Sequence, residues 1–247
     1  MAETTEPSIR FVAEEVRATL AKRKSQFRRV IKPQPDISLL KPGIVLKAHK
    51  CPVLGPSHHG KREWGLYAEP FDPRSVPAFA YDCPYGQVGM KLWVRETWAE
   101  VELDDVQGDV IFWKATDAAR EISPGITLAK WRPSIHMPRW ASRILLEITG
   151  IRMERVQSIS GEDCIAEGCK SWNATYLDLH SPIRTPGDHL YGPQGRTPEE
   201  RREFVTANLR IEYRAHWDSL NAKRGYGWGV NPWVWVIKFK QLFGNGP

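Results

Sequence analysis

The chain has 247 residues, enough for one large domain or two small ones with a buried core that needs no disulfide staples. Hydrophobic residues make up 41% and charged residues 26%, and no apolar run approaches the roughly eighteen residues that cross a bilayer, so no membrane partner is expected. Lys and Arg number 35 against 29 Asp and Glu, a net charge of +6, which favours polyanionic partners in a diffuse way.

The polar start Ala2-Glu3-Thr4-Thr5-Glu6 lacks the basic and apolar regions of a secretory signal, so a cytoplasmic setting is expected. Four cysteines, Cys51, Cys83, Cys164 and Cys169, form no close Cys-x-x-Cys clasp. Reduced thiols are therefore expected, with no metal and no other cofactor. Eleven tryptophans are the outlier, since indoles fill cores or stack on flat ligands.

From Ser8 to about Lys24, Ile9, Val12, Val16 and Leu20 recur at helical spacing, which predicts an amphipathic helix. It runs into the basic turn Lys22-Arg23-Lys24-Ser25-Gln26-Phe27-Arg28-Arg29, and a short strand is expected over Arg28 to Lys32 before Pro33 and Pro35 stop regular structure. The Pro- and Gly-rich stretch from Asp36 to Val88 predicts short strands between loops. Gly89 to Trp98 and Val110 to Lys114 read as strands, and Ser142 to Gln157 as a longer β region bent at Gly150. Ser160 to Asp163 offers capping oxygens and early acidic charge, so a short helix is expected over Glu162 to Glu167, ended by Gly168. Val205, Leu209, Tyr213, Trp217 and Leu220 step by about four, which predicts a long helix from Pro198 to Asn221. The last strand is expected over Trp233 to Phe239.

Chemistry has three stations: the basic turn, the aromatic and basic loop Trp131 to Arg143, and Glu167 at the carboxyl end of its short helix. A lysine desolvated between other cations can have a lowered pKa and serve as a base, a nearby hydroxyl can attack an acyl carbon, and a glutamate with a raised pKa can protonate a leaving amine. That assigns candidate catalytic roles to Lys24, Ser25 and Glu167. For nucleic-acid binding, Arg23, Arg28, Arg29 and Lys32 are candidate phosphate contacts, as are Arg132, Arg139 and Arg143. Trp131 or Trp140 supplies a stacking face, Trp228 lies in the glycine-rich turn Gly225 to Gly229, and His136 is either a ligand-facing donor or a hydrogen-bonded loop residue.

The order of Arg23-Lys24-Ser25-Gln26-Phe27-Arg28-Arg29, Gly89 to Trp98, and a late strand before Ala166-Glu167-Gly168 resembles an ASCH domain of the PUA-like superfamily. With Trp131 to Pro138 and Asn231-Pro232-Trp233, the chain is similar to ASCH proteins of phages and prophages over about residues 8 to 240. The resemblance implies an α+β fold: a small β-barrel flanked by helices, as a single domain over residues 1–247 with insertions at about 50–80 and 170–197. It also implies a cleft that binds RNA, DNA or a modified nucleoside. In the family's amidohydrolase branch, which deacetylates N4-acetylcytidine, a Lys, a Thr three residues later and a distant Glu do the chemistry. Those positions map onto Lys24, Phe27 and Glu167. A benzyl group neither attacks a carbonyl nor carries a proton, so Phe27 departs from the pattern and Ser25 is the nearest hydroxyl. Nucleic-acid or nucleobase binding is the first expectation, amidohydrolase activity the second, and interaction with a host protein the third.

Overall fold

The computed structural model describes residues 6–36, 38, 40–41, 44–50, 64–70, 72, 77–102, 109–117, 130–169 and 198–242. Ten strands and four helices follow in chain order. They are β1 (Ser8–Arg10), α1 (Ala13–Leu20), β2 (Gln26–Val30), β3 (Leu46–Lys50), β4 (Trp64–Ala68), β5 (Phe79–Tyr81), β6 (Lys91–Arg95), β7 (Trp98–Glu102), β8 (Asp109–Trp113) and α2 (Lys114–Asp117). After these come β9 (Leu145–Arg155), α3 (Gly161–Ala166), α4 (Pro198–Asn221) and β10 (Trp233–Leu242).

The architecture is α+β, built on a five-stranded sheet of order β1-β6-β9-β10-β2. Only β1 and β6 are parallel neighbours in it. β10 shows why this sheet is covered on both faces. Its odd-numbered side chains Trp233, Trp235, Ile237 and Phe239 enter a core with Phe27, Leu92 and Leu146, whereas Val234 and Val236 enter a second core with Leu209, Tyr213 and Trp217 of α4. Side chains of a strand alternate between faces, so a strand apolar at every position must be buried on both.

The first core is closed by the antiparallel sheet β3-β4-β5, which contributes Leu66 and packs Leu46 and Phe79 against it. The second core is closed by α3 and α4. A separate hairpin, β7-β8, packs Trp98, Ile111 and Trp113 against Met137 and Ala141 of the 131–143 loop. That loop contains two 3-10 turns, Ser134–His136 and Arg139–Ala141.

Several expectations are corrected. Ser8–Arg10 is a strand, not the start of the helix: it runs parallel to β6, and Ile9 and Phe11 are the buried residues while Val12 is exposed. The helical spacing from Ile9 was an accident of a strand followed by a helix. The region Gly89 to Trp98 divides between β6 and β7, which belong to different sheets. The early strand begins at Gln26 rather than Arg28. Among the described residues the sheets are open, with no closed barrel. The long β region is confirmed as β9, and its pairing slips by one residue at Gly150, where Lys238 faces Gly150 and Phe239 faces Ile148. The expected insertion at 170–197 lies outside the described residues, and β4, within the one at about 50–80, supplies a core leucine. No helix among the described residues is long and apolar enough to cross a membrane.

The two faces of α4 differ in what they carry. Leu209 is buried against the sheet and Ile211 is exposed. Leu209→Ala is expected to cost about 2–5 kcal/mol and Ile211→Ala no more than about 0.5 kcal/mol, read as the shift of the urea unfolding midpoint.

Candidate functional site

Two helix endings of the same kind bring the basic turn and Glu167 together. At the end of α1, Lys22 is left-handed at φ 57, and Lys22 and Arg23 donate their N–H groups back to Thr19 and Ala18. At the end of α3, Gly168 takes φ 91, and Gly168 and Cys169 donate to Ile165 and Cys164. Both are Schellman closures, which satisfy the last carbonyls and turn the chain sharply. The turns abut: a Cβ on Gly168 would stand 2.9 Å from the Cβ of Ala18 and 3.3 Å from that of Lys24.

Lys24 and Glu167 are thereby in contact. Lys24 Nζ donates at 2.9 Å to both the carboxylate and the backbone carbonyl of Glu167, and it lies 3.7 Å from Glu15. The side chains of Lys24 and Glu167 are 1% and 5% exposed. A carboxylate at the negative end of a helix gains nothing from the dipole; here two cations meet it, because Arg28 donates to its other oxygen at 2.9 Å.

Arg28 is the centre of the cluster. Its side chain is 0% exposed and also binds Glu154 at 2.6 Å and Asp163 at 2.9 Å. Arg152 binds the same two carboxylates at 2.9 and 2.6 Å. Arg28 and Arg152 both pair in register with Val236 of the intervening strand, one on either side. The short valine side chain leaves room for two guanidinium groups to converge on Asp163.

Arg29 points to the opposite side of β2. It binds Glu15 at 3.3 Å and lies 5.2 Å over the ring of Phe27 and 5.7 Å over that of Phe11. Phe27, at the position where the resembling enzymes carry threonine, is fully buried among Phe11, Tyr85 and Phe239. Ser25 is exposed, and its N–H bonds the Ala166 carbonyl at 2.8 Å. The cluster therefore unites Lys24, Arg28, Arg29 and Arg152 with Glu15, Glu154, Asp163 and Glu167, four cations with four carboxylates. Its Lys24 sits among carboxylates, not among cations alone. Arg28, proposed from sequence as a phosphate contact, is enclosed by protein on every side.

The 131–143 loop builds a different kind of site. Arg132 pairs through its backbone with Trp98, and its guanidinium lies 5.0 Å over that indole. Trp140 meets the edge of Trp98 at 6.0 Å and is itself 52% exposed. Arg95 and Arg139 lie 4.6 and 5.9 Å over Trp93, and Arg143 lies 4.5 Å over Trp113. The side chains of Arg132 and Arg139 are 50% and 46% exposed, paired with Glu100 and Glu6. Arg143 is less accessible and grips Glu96 in a two-bond fork at 2.9 and 3.0 Å; burial raises the Glu96 carboxyl above its usual range, against the pull of Arg143. Trp131 is half-buried and His136 exposed.

The remaining candidates are scattered. Arg23 is exposed and donates to the Gly168 carbonyl. Lys32 lies 5.3 Å over Tyr226, and Trp228 packs edge-on against Tyr213 at the far end of α4. Sequence reasoning missed Glu15, Glu154, Asp163 and Arg152. The two-residue spacing of Arg152 and Glu154 on a strand was the available signal that they share a face. Cys164 and Cys169 carry free thiols, and burial pushes the Cys164 thiol up to about 12. Among the described residues no group of three or more His, Cys, Asp or Glu side chains is placed to hold a metal ion.

Comparison with protein-family models, with curated proteins and with solved structures finds no significant match.

Glu15 links the cluster to acid stability. Burial raises its carboxyl, but Arg29, Lys24 and the Val12 N–H more than offset this and hold it at about 2 against an ordinary 4.5. A carboxyl depressed on folding contributes stability that is complete above its unfolded value and is lost as pH falls through the folded one. From about pH 5 down to about pH 2, Glu15 alone is expected to remove on the order of 3 kcal/mol. Urea midpoints measured over this range should fall less steeply in Glu15→Gln than in the unaltered chain, and parallel curves would contradict the assignment.

Proposed function

We propose that this chain binds single-stranded or unstacked nucleic acid through the tryptophan and arginine face of the 131–143 loop, as a cytoplasmic PUA-like protein of the ASCH type from a phage or prophage. The observation that carries the reading is the half-exposed indole of Trp140 beside the half-exposed guanidinium groups of Arg132 and Arg139. Any base presents a flat π face, and stacking on an exposed aromatic ring contributes about 1–3 kcal/mol per base. The surface pairs of Arg132 and Arg139 with carboxylates are worth about 0–1 kcal/mol each, so a phosphate can displace them at little cost. Support for the ASCH likeness comes from the meeting of Lys24 with Glu167, the two family positions this chain retains.

Fluorescence anisotropy with labelled single-stranded RNA and DNA tests the reading. Binding should weaken with rising salt, because neutralised phosphates release counterions, and Trp140→Ala should weaken it about 5- to 100-fold. Unchanged affinity in Trp140→Ala, or no binding by the unaltered chain at low salt, would overturn it.

A second reading, hydrolysis of an N4-acylated cytosine, is favoured by the 2.9 Å contact between Lys24 and Glu167. It needs a hydroxyl, and Ser25 is the nearest in the turn. Acetate release from N4-acetylcytidine should then be measurable and abolished in Ser25→Ala, a change at an exposed position that leaves the core untouched. Absence of release by the unaltered chain removes this reading.

A further inference from the structure

A second group of cations gathers at the other end of the five-stranded sheet. β9 and β10 run antiparallel, so Arg155 at the end of β9 pairs with Trp233 at the start of β10, while Leu145 pairs with Leu242. The 131–143 loop enters β9 at the Leu145 end. The two ends of these strands lie roughly 30 Å apart, at about 3.3 Å per residue.

At the Trp233 end, Arg155 lies 4.8 Å over the indole of Trp233 and donates to the Asn231 carbonyl at 2.9 Å. Lys32, two residues past β2, is exposed and lies 5.3 Å over the ring of Tyr226. Lys223 and Arg224 are exposed in the 3-10 turn Ala222–Arg224 that follows α4. Unlike Arg132, Arg139 and Arg143, which pair with Glu100, Glu6 and Glu96, none of these four cations has a carboxylate partner among the described residues. Asp218, in the last turn of α4, is already engaged: it accepts the Trp228 N–H at 2.6 Å and lies 3.8 Å from Arg214. Asp36, four residues beyond Lys32, accepts from the backbone and hydroxyl of Ser38.

The backbone here is open as well as positive. Gly225 takes φ 82, and a Cβ on Gly225 or Gly229 would meet nothing within 4 Å. A bulky anion can approach such a turn closely. Membrane recruitment by a basic patch needs a second, inserted element, and Val230 is the one exposed large hydrophobic residue in this turn. Two of these cations rest on aromatic rings and none of the four is paired with a carboxylate among the described residues, which fits a phosphate backbone better.

We propose that Lys32, Arg155, Lys223 and Arg224 form a second nucleic-acid contact that grips the phosphate backbone irrespective of base, at the end of the sheet away from Trp140. The proposal rests on the nucleic-acid reading but does not need the Trp140 face. Its test is the full chain carrying Lys32→Glu, Lys223→Glu and Arg224→Glu together, titrated beside Trp140→Ala against labelled single-stranded RNA and DNA over a series of salt concentrations. All three altered positions are exposed, so the thermal midpoint should stay unchanged. Each phosphate contact on a single strand contributes about 0.7 to the slope of log affinity against log salt, so the triple variant should show a slope shallower by about 2 and at least about tenfold weaker binding at low salt. If the triple variant weakens and Trp140→Ala does not, this contact stands and the Trp140 face falls. If the triple variant keeps the affinity and slope of the unaltered chain, this contact is overturned. Binding to phosphatidylserine vesicles without binding to either oligonucleotide would overturn it in favour of a membrane surface.

Discussion

A guanidinium group without access to solvent must find its counter-charges inside the protein, and Arg28 imposes that condition on everything around it. Taking such an ion out of water costs several kcal/mol unless carboxylates and good hydrogen bonds replace the lost hydration. Arg28 draws its partners from three places: Glu154 on β9, Asp163 within α3 and Glu167 at the end of α3. A sheet edge, a sheet centre and a helix are thereby tied to one side chain. The docking of α3 that results is what sets Glu167 against Lys24. Removing any one carboxylate would leave a buried charge short of a partner, which is why the cluster acts as a unit.

The same constraint divides the arginines of this chain by task. Those on the helix side of the sheet are consumed by structure: Arg28 and Arg152 share Asp163 and Glu154 across the narrow Val236. Arg29, on the other side of β2, is held by Glu15 and two phenyl rings. Charge available to a partner lies at the ends of the strands, where Arg132 and Arg139 sit beside Trp140 and where Lys32, Arg155, Lys223 and Arg224 surround the glycine turn. Net charge alone does not distinguish these populations, because an enclosed ion pair contributes little to the field a distant polyanion feels.

Local pattern was a sound guide where one element decides its own shape. The helix Pro198–Asn221 has the expected limits, and Val205, Leu209, Tyr213 and Trp217 keep one stripe against the sheet over roughly three of its turns. The α3 helix is capped by Ser160, whose hydroxyl accepts the Asp163 N–H, and is closed beyond its end by the left-handed Gly168. The pattern misled at Ser8–Arg10, where three residues of strand gain their hydrogen bonds from β6, some eighty positions later in the chain. It misled again in the basic turn, where five cations in eight residues read as a solvated anion-binding stretch. Two of those cations, Lys24 and Arg28, are buried, and little that is local reveals it, since apart from Glu15 the carboxylates that make burial tolerable lie beyond position 150.

The amino-acid sequence by itself determined the mixed class of the fold, the long amphipathic helix, the doubly apolar last strand, and the enrichment in cations and indoles that makes a polyanion a reasonable partner. These follow from periodicity, capping and composition, which act over a few residues or over the whole chain. Only the tertiary structure decided which cations face protein and which face water, and that Lys24 and Glu167, 143 positions apart, share a hydrogen bond. The physical reason is that the strength and accessibility of a charge depend on what is packed within a few ångströms of it, and sheet pairing chooses those neighbours from distant parts of the chain.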